Sequence, residues 1–98
     1  MYKFKKTIRI NGLNFDILAP SKNPLKKYDV YQGKNKITSF GGIKEDGTVY
    51  PQYKDKIGFY SDYDHLDKNR RKRYRQRHRN DYINDPTKAG YFSYHFLW

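Results

Sequence analysis

A small α+β fold is what this sequence predicts, and three observations carry that reading. Apolar and polar residues alternate in short runs punctuated by Asn11-Gly12, Gly33-Lys34-Asn35 and Asp46-Gly47, the pattern of antiparallel hairpins. One later segment, Asp64 to Arg79, drops the alternation and carries acids at its start and bases at its end, the polarity of a helix. The chain has 98 residues of which only 36% are hydrophobic, so one modest core is all it can build.

Residues 2–10 place Tyr2, Phe4, Ile8 and Ile10 on one side and Lys3, Lys5, Thr7 and Arg9 on the other, a half-buried strand. Asn11-Gly12 suits a type I′ turn, whose two central residues both need positive φ. Leu13, Phe15 and Ile17 then resume the alternation, which makes residues 2–18 a hairpin. The stretch from Ala19 to Pro24 reads as a loop. Residues 1–24 are therefore expected to form a hairpin arm with its linker, and residues 25–98 a basic α+β domain. Within the latter, residues 27–31 and 36–40 are two further strands around Gly33-Lys34-Asn35, and Gly41-Gly42 breaks the run as a turn or bulge. Asp46-Gly47 signals another hairpin that Pro51 ends, and residues 52–63 show no period.

The helix over residues 64–79 takes Asp64 as its expected N-cap, with Asp67 as a partial capping box. Leu66, Arg70, Tyr74 and His78 share one face at i, i+4 spacing, with almost no apolar stripe. Arg71 with Arg75, and Arg73 with Arg77, are like charges at the same spacing and cost a few tenths of a kcal/mol each. Such a helix needs an anionic partner or stacking to hold it. The chain ends in an aromatic segment, residues 90–98. As a strand it puts Phe92, Tyr94, Phe96 and Trp98 on one face; as a helix from a Thr87 cap it aligns Tyr91, Tyr94, His95 and Trp98. Periodicity leaves both open.

Composition excludes much. The hydrophobic class is half aromatic, with 11 Tyr, 6 Phe and 1 Trp, so a thick aliphatic core is ruled out. No apolar run approaches the roughly 20 residues of a membrane span, and the first ten residues lack the apolar region of a signal peptide. There is no Cys, hence no disulfide and no thiolate metal site. What dominates is charge: 21 Lys and Arg against 10 Asp and Glu, a net +11. A field of that size attracts polyanions.

The charge is concentrated. Residues 68–79, KNRRKRYRQRHR, hold eight cations and no acid, six of them Arg, in a chain that otherwise uses Lys and only one other Arg, Arg9. Arginine offers a planar fork for phosphate and stacks on aromatics, which lysine does poorly. Lys68, Arg70, Arg71, Lys72, Arg73, Arg75, Arg77 and Arg79 are thus the candidate polyanion-binding residues, with Arg70, Arg71, Arg75 and Arg77 the leading contacts. Tyr74, His78, Phe92, Phe96 and Trp98 are candidate structural anchors. About five ionic contacts with duplex DNA correspond to a log–log salt slope of about −4.5. The alternative is a solvated helix, or arginines paired with acids of a protein partner. Sequence-specific readout is not indicated, since no helix-turn-helix pair, zinc-finger spacing or RNP motif is present.

No catalytic residue, metal or cofactor is expected. Asp62, Asp64, His65 and Asp67 invite a metal reading, but an EF-hand loop from Asp62 needs Gly at position 67 and a carboxylate at position 73, where the chain has Asp67 and Arg73. These acids serve better as helix caps; a small nuclease built on them is the least favoured reading. His65, His78 and His95 show no zinc spacing.

Several short pieces in a fixed order carry a resemblance. They are Ser39-Phe40-Gly41, Tyr53-Lys54-Asp55-Lys56, His65-Leu66-Asp67, Arg70-Arg71 with Tyr74 and Arg77-His78, and finally Tyr91, Phe92-Ser93 and Leu97-Trp98. Over residues 28–98 the chain resembles a small basic domain of uncharacterised function found in tailed phages and large DNA viruses. In that family a Pro or an acid often follows the third piece, where this chain has Lys68-Asn69. The resemblance implies a viral origin and a virion or genome-associated role. The expected function is then a non-enzymatic virion structural protein, a minor capsid or accessory component. It would dock on capsid or portal proteins in many copies, with its Arg-rich helix facing nucleic acid through non-specific phosphate contacts, or facing an acidic shell surface. It would occupy the host cytoplasm before assembly and have no membrane partner. A free nucleic-acid-binding protein acting in the infected cell is the alternative.

Overall fold

Four strands and two helices organise the chain in the computed structural model, which describes residues 2–80 and 84–98. The strands β1 (Phe4–Ile10), β2 (Leu13–Ala19), β3 (Lys26–Gln32) and β4 (Asn35–Gly42) form one antiparallel sheet in sequence order. The mixed α+β class is therefore as the patterning predicts. Asn11 and Gly12 both take positive φ, 51° and 81°, so the first hairpin closes through the tight turn that their side chains permit. The second hairpin is one residue tighter than expected, because Asn35 already pairs with Gln32.

The first hairpin is half of the common sheet. Asp16, Ile17 and Leu18 pair with Tyr31, Val30 and Asp29, and Phe15, Ile17 and Ala19 are buried in the core. Residues 2–24 thus pack with the rest. Phe15, Ile17, Tyr28, Val30 and Phe40 meet Ile57, Tyr60, Phe92 and Leu97 there. The packing is aromatic: Phe40 stacks between Tyr28, at a centroid distance of 5.1 Å, and Phe92, at 5.4 Å.

Gly41-Gly42 does not break the run. Both residues belong to β4, and the reason lies in Lys27 on the neighbouring strand. Gly41 has φ +80°, and a Cβ there would sit 2.8 Å from the Lys27 Cδ, so only glycine lets the lysine stem pass. Beyond β4, Ile43 bridges Val49 around Gly47, the third hairpin signal in miniature.

The aromatic segment resolves as a helix, α2 (Ala89–Phe96), lying on β4. Lys88, not Thr87, stands at its N-cap, and its side chain does not cap the helix. The basic helix, α1, spans Lys68–Arg77 and is shorter than expected at both ends. Asp64 does not cap it. The chain from His65 to Leu66 runs beside residues 52–53, with His65 N–H donating to Gln52 O and Leu66 N–H to Tyr53 O. Leu66 then turns through φ +56°, which no helix accepts, and Asp67 becomes the cap by accepting from the N–H groups of Asn69 and Arg70. At the other end His78 is the C-cap, so Arg79 lies beyond the helix.

Candidate nucleic-acid interface

No residue of α1 is buried, so the helix is not held by a core. It is held by one side. Arg71, Tyr74, Arg75 and His78 are half-buried, at the i, i+3, i+4, i+7 spacing of a single face, and Lys68, Arg70, Lys72, Arg73 and Arg77 are exposed. Arg79, past the helix end, is also exposed.

The inward face grips the end of α2. The last four carbonyls of a helix have no partner within it and carry the negative end of its dipole. Here each finds a donor. Tyr94 O accepts from Arg75 at 3.4 Å, His95 O from the Lys56 ammonium at 3.1 Å, Phe96 O from Lys56 N–H at 2.9 Å and Leu97 O from Lys54 N–H at 3.1 Å. The Trp98 main-chain oxygen accepts from the Nε of both Arg71, at 2.8 Å, and Arg75, at 3.2 Å. The same guanidinium groups lie over rings, Arg71 over Tyr53 at 4.9 Å and Arg75 over Tyr94 at 4.3 Å. Arg71 and Arg75, expected among the leading polyanion contacts, are therefore committed to this intramolecular junction, because it offers acceptors and ring faces within their reach. Desolvation first, and then the neighbouring Arg75, Arg71 and Lys54 charges, push the Lys56 ammonium below its ordinary range.

An aromatic column completes the attachment. Tyr74 stacks on Trp98 with centroids 4.2 Å apart and planes within 7°, and on His78 at 4.2 Å. Beyond Trp98 lies His65, at 5.2 Å. His65 Nδ1 accepts the Asp67 N–H, so Nε2 carries the proton; that atom is buried and has no hydrogen-bond partner. Desolvation, then Arg70, lower the His65 pKa against the opposing pull of Asp67 and Asp64. Of the other expected anchors, Phe92 is fully buried and Phe96 stacks on it at 6.1 Å.

The outward face is different. Between described residues two ion pairs form, Lys5 with Asp16 at 3.8 Å and Lys36 with Asp29 at 3.7 Å, and neither involves α1. Lys68, Arg70, Lys72, Arg73, Arg77 and Arg79 thus form no ion pair with an Asp or Glu of the described chain. Two of the acids at 62–67 are engaged elsewhere: Asp64 accepts from Gln52 Nε2 at 2.7 Å and from Asp55 N–H at 2.8 Å, and Asp67 caps the helix. Among the described residues no three His, Asp or Glu side chains converge as a metal site would require.

Beside α1 lies a group that patterning did not reveal. Lys27 is 1% exposed and forms no ion pair among the described residues; its ammonium donates to Tyr50 O at 2.7 Å and Gln52 Oε1 at 2.5 Å. Desolvation lowers its pKa to about 8, against the more distant pull of Asp55 and Asp64. Two places along β3, the buried Asp29 behaves oppositely. Desolvation alone would raise its carboxyl, but donors from Ser21, Ser39, Tyr2 and the Lys22 N–H together hold it down to about 2. Nothing in the periodicity of residues 26–32 distinguishes these two from surface charges. In the search for relatives, the chain matches no family model, no curated protein and no solved structure.

Proposed function

We propose that this chain is a non-enzymatic binding protein that lays the outward face of α1 on a polyanion, nucleic acid first. One observation carries the reading: six exposed cations over residues 68–79, four of them arginine, form no ion pair with an Asp or Glu of the described chain, while the two remaining arginines fix the helix in place. Like charges this dense repel one another, and phosphates arriving from outside relieve that repulsion. Contacts of this kind read charge and spacing, not sequence.

The viral resemblance extends the proposal to a virion component, docked on capsid or portal proteins with this face toward the packaged genome or an acidic shell surface. Detection of the chain in many copies per purified particle supports that setting; finding it only in infected-cell extract favours a free nucleic-acid-binding protein. The binding reading itself is tested by fluorescence anisotropy with a labelled 16-base-pair duplex between 50 and 200 mM salt. With about four phosphate contacts, the log–log slope is expected near −3.6. No binding at the lowest salt, or an affinity indifferent to salt, overturns it.

A further inference from the structure

Two adjoining clefts flank α1 on the side away from Arg71 and Arg75. The first, about 340 Å³, lies between the Gly41–Gly42 and Tyr50–Pro51 segments and the helix; the second, about 430 Å³, continues along Arg70, Arg73 and Arg77. Both share Arg70, Arg77 and Trp98, and no Asp or Glu side chain lines either one. The first has the size of a small-ligand site.

Its lining is specific in kind. Lys27, the buried cation, contributes to the wall, and its ammonium directs two of its three protons to Tyr50 O and Gln52 Oε1. Arg70 and Arg77, two helical turns apart, add two exposed guanidinium groups. Tyr50, 48% exposed, supplies a ring on the sheet side, while Trp98 and Tyr74, stacked on each other, line the helix side. Gly42 lets the Tyr50 ring pack close against β4, since a Cβ there would come within 2.8 Å of that ring. Three cations, the Tyr50 ring and the Tyr74–Trp98 stack, around a cleft lined by no Asp or Glu side chain, suit a group that is anionic at one end and flat and apolar at the other.

We propose that this cleft holds one nucleotide of a single-stranded nucleic acid, its phosphate between Arg70 and Arg77 and its base against the Tyr50 ring, beside the Tyr74–Trp98 stack. The inference rests on the polyanion reading above and sharpens it. A duplex buries the faces of its bases in its own stack and gains from the outward cations alone. An unpaired base gains the rings as well, and stacking of that kind is sequence-tolerant.

Trp98 is the only tryptophan of the chain, so its emission reports directly on the cleft. The intact protein is titrated with an eight-residue oligothymidylate and with an abasic phosphodiester of equal length and charge. The expected result is quenching of Trp98 by the oligothymidylate, which binds about tenfold tighter than the abasic strand. Tyr50→Ala, at an exposed side chain, should cut that preference to about threefold or less with an unchanged circular dichroism spectrum. Lys72→Gln with Arg79→Gln should weaken both ligands alike and leave their ratio intact. Equal binding of the two strands with no change in Trp98 emission overturns the cleft and leaves the polyanion reading standing. If neither strand binds, both fall together.

Discussion

Along α1 the same side chain does two different jobs. Arg71 and Arg75 face Trp98, Tyr94 and Tyr53, and close off the carbonyl end of α2. Arg70, Arg73 and Arg77 stand beside them in the sequence and face outward, with no ion pair to an Asp or Glu of the described chain. Helical geometry alone separates them, because residues at i and i+4 share a face and their immediate neighbours do not. The lesson is that a basic run is not one site. The inner arginines set where the helix sits, and the outer ones are left to meet a partner.

The largest effect should come from removing the ring on which the inner face rests. Trp98→Ala deletes the surface that Tyr74 stacks on, and is expected to cost about 3 kcal/mol in urea denaturation followed by circular dichroism. A loss below about 0.5 kcal/mol would show that the column does not hold the helix. Arg71→Gln with Arg75→Gln should follow, at about 2 kcal/mol, because the charge-assisted hydrogen bonds to Trp98 O and the stacking over Tyr53 and Tyr94 disappear together. If that pair leaves stability unchanged and abolishes nucleic-acid binding instead, the division into inner and outer arginines is wrong.

The cleft beside the helix sharpens the comparison through pH. The Lys27 amine has a folded pKa of about 8, below that of a free lysine, so between pH 8 and about 10 the unfolded chain binds more protons than the folded one. Stability from this group therefore rises with pH across that window, and below pH 8 its full burial cost remains. Measured at pH 7.5 and 9.5, the wild type should gain about 2 kcal/mol relative to Lys27→Met. A flat difference would mean that the ammonium is not desolvated. The smallest effect on folding belongs to Lys72→Gln with Arg79→Gln, expected to move stability by less than about 0.5 kcal/mol while making the duplex salt slope shallower by about 1.8.

Much of the fold was legible because its signals are local. Asn11-Gly12 announced a turn, and the alternation of Phe15 and Ile17 announced which side of β2 would be buried. The basic run that supplies α1 was legible too, since eight cations in the twelve positions 68–79 need no structure to be noticed. What patterning missed depends on partners distant in the chain. Asp64 looked like a cap because of its neighbours, yet Gln52 and Asp55 claim its carboxylate. Arg71 and Arg75 looked like phosphate ligands because nothing local shows that Trp98 folds back beneath them. Lys27 looked like a surface lysine, and only the glycine at position 41, a strand away, marks where its stem must pass.

That α1 contributes nothing to the core has one further consequence. The helix is retained by a stack of rings and by hydrogen bonds to main-chain ends, so its amides should exchange with deuterium well before those of β2 and β3. An anion settling on its outward charges removes the repulsion that works against it, and slows that exchange without touching the sheet. Occupancy would then be readable as protection spreading over Asn69 to Arg77, with the strand amides serving as an internal clock that does not change.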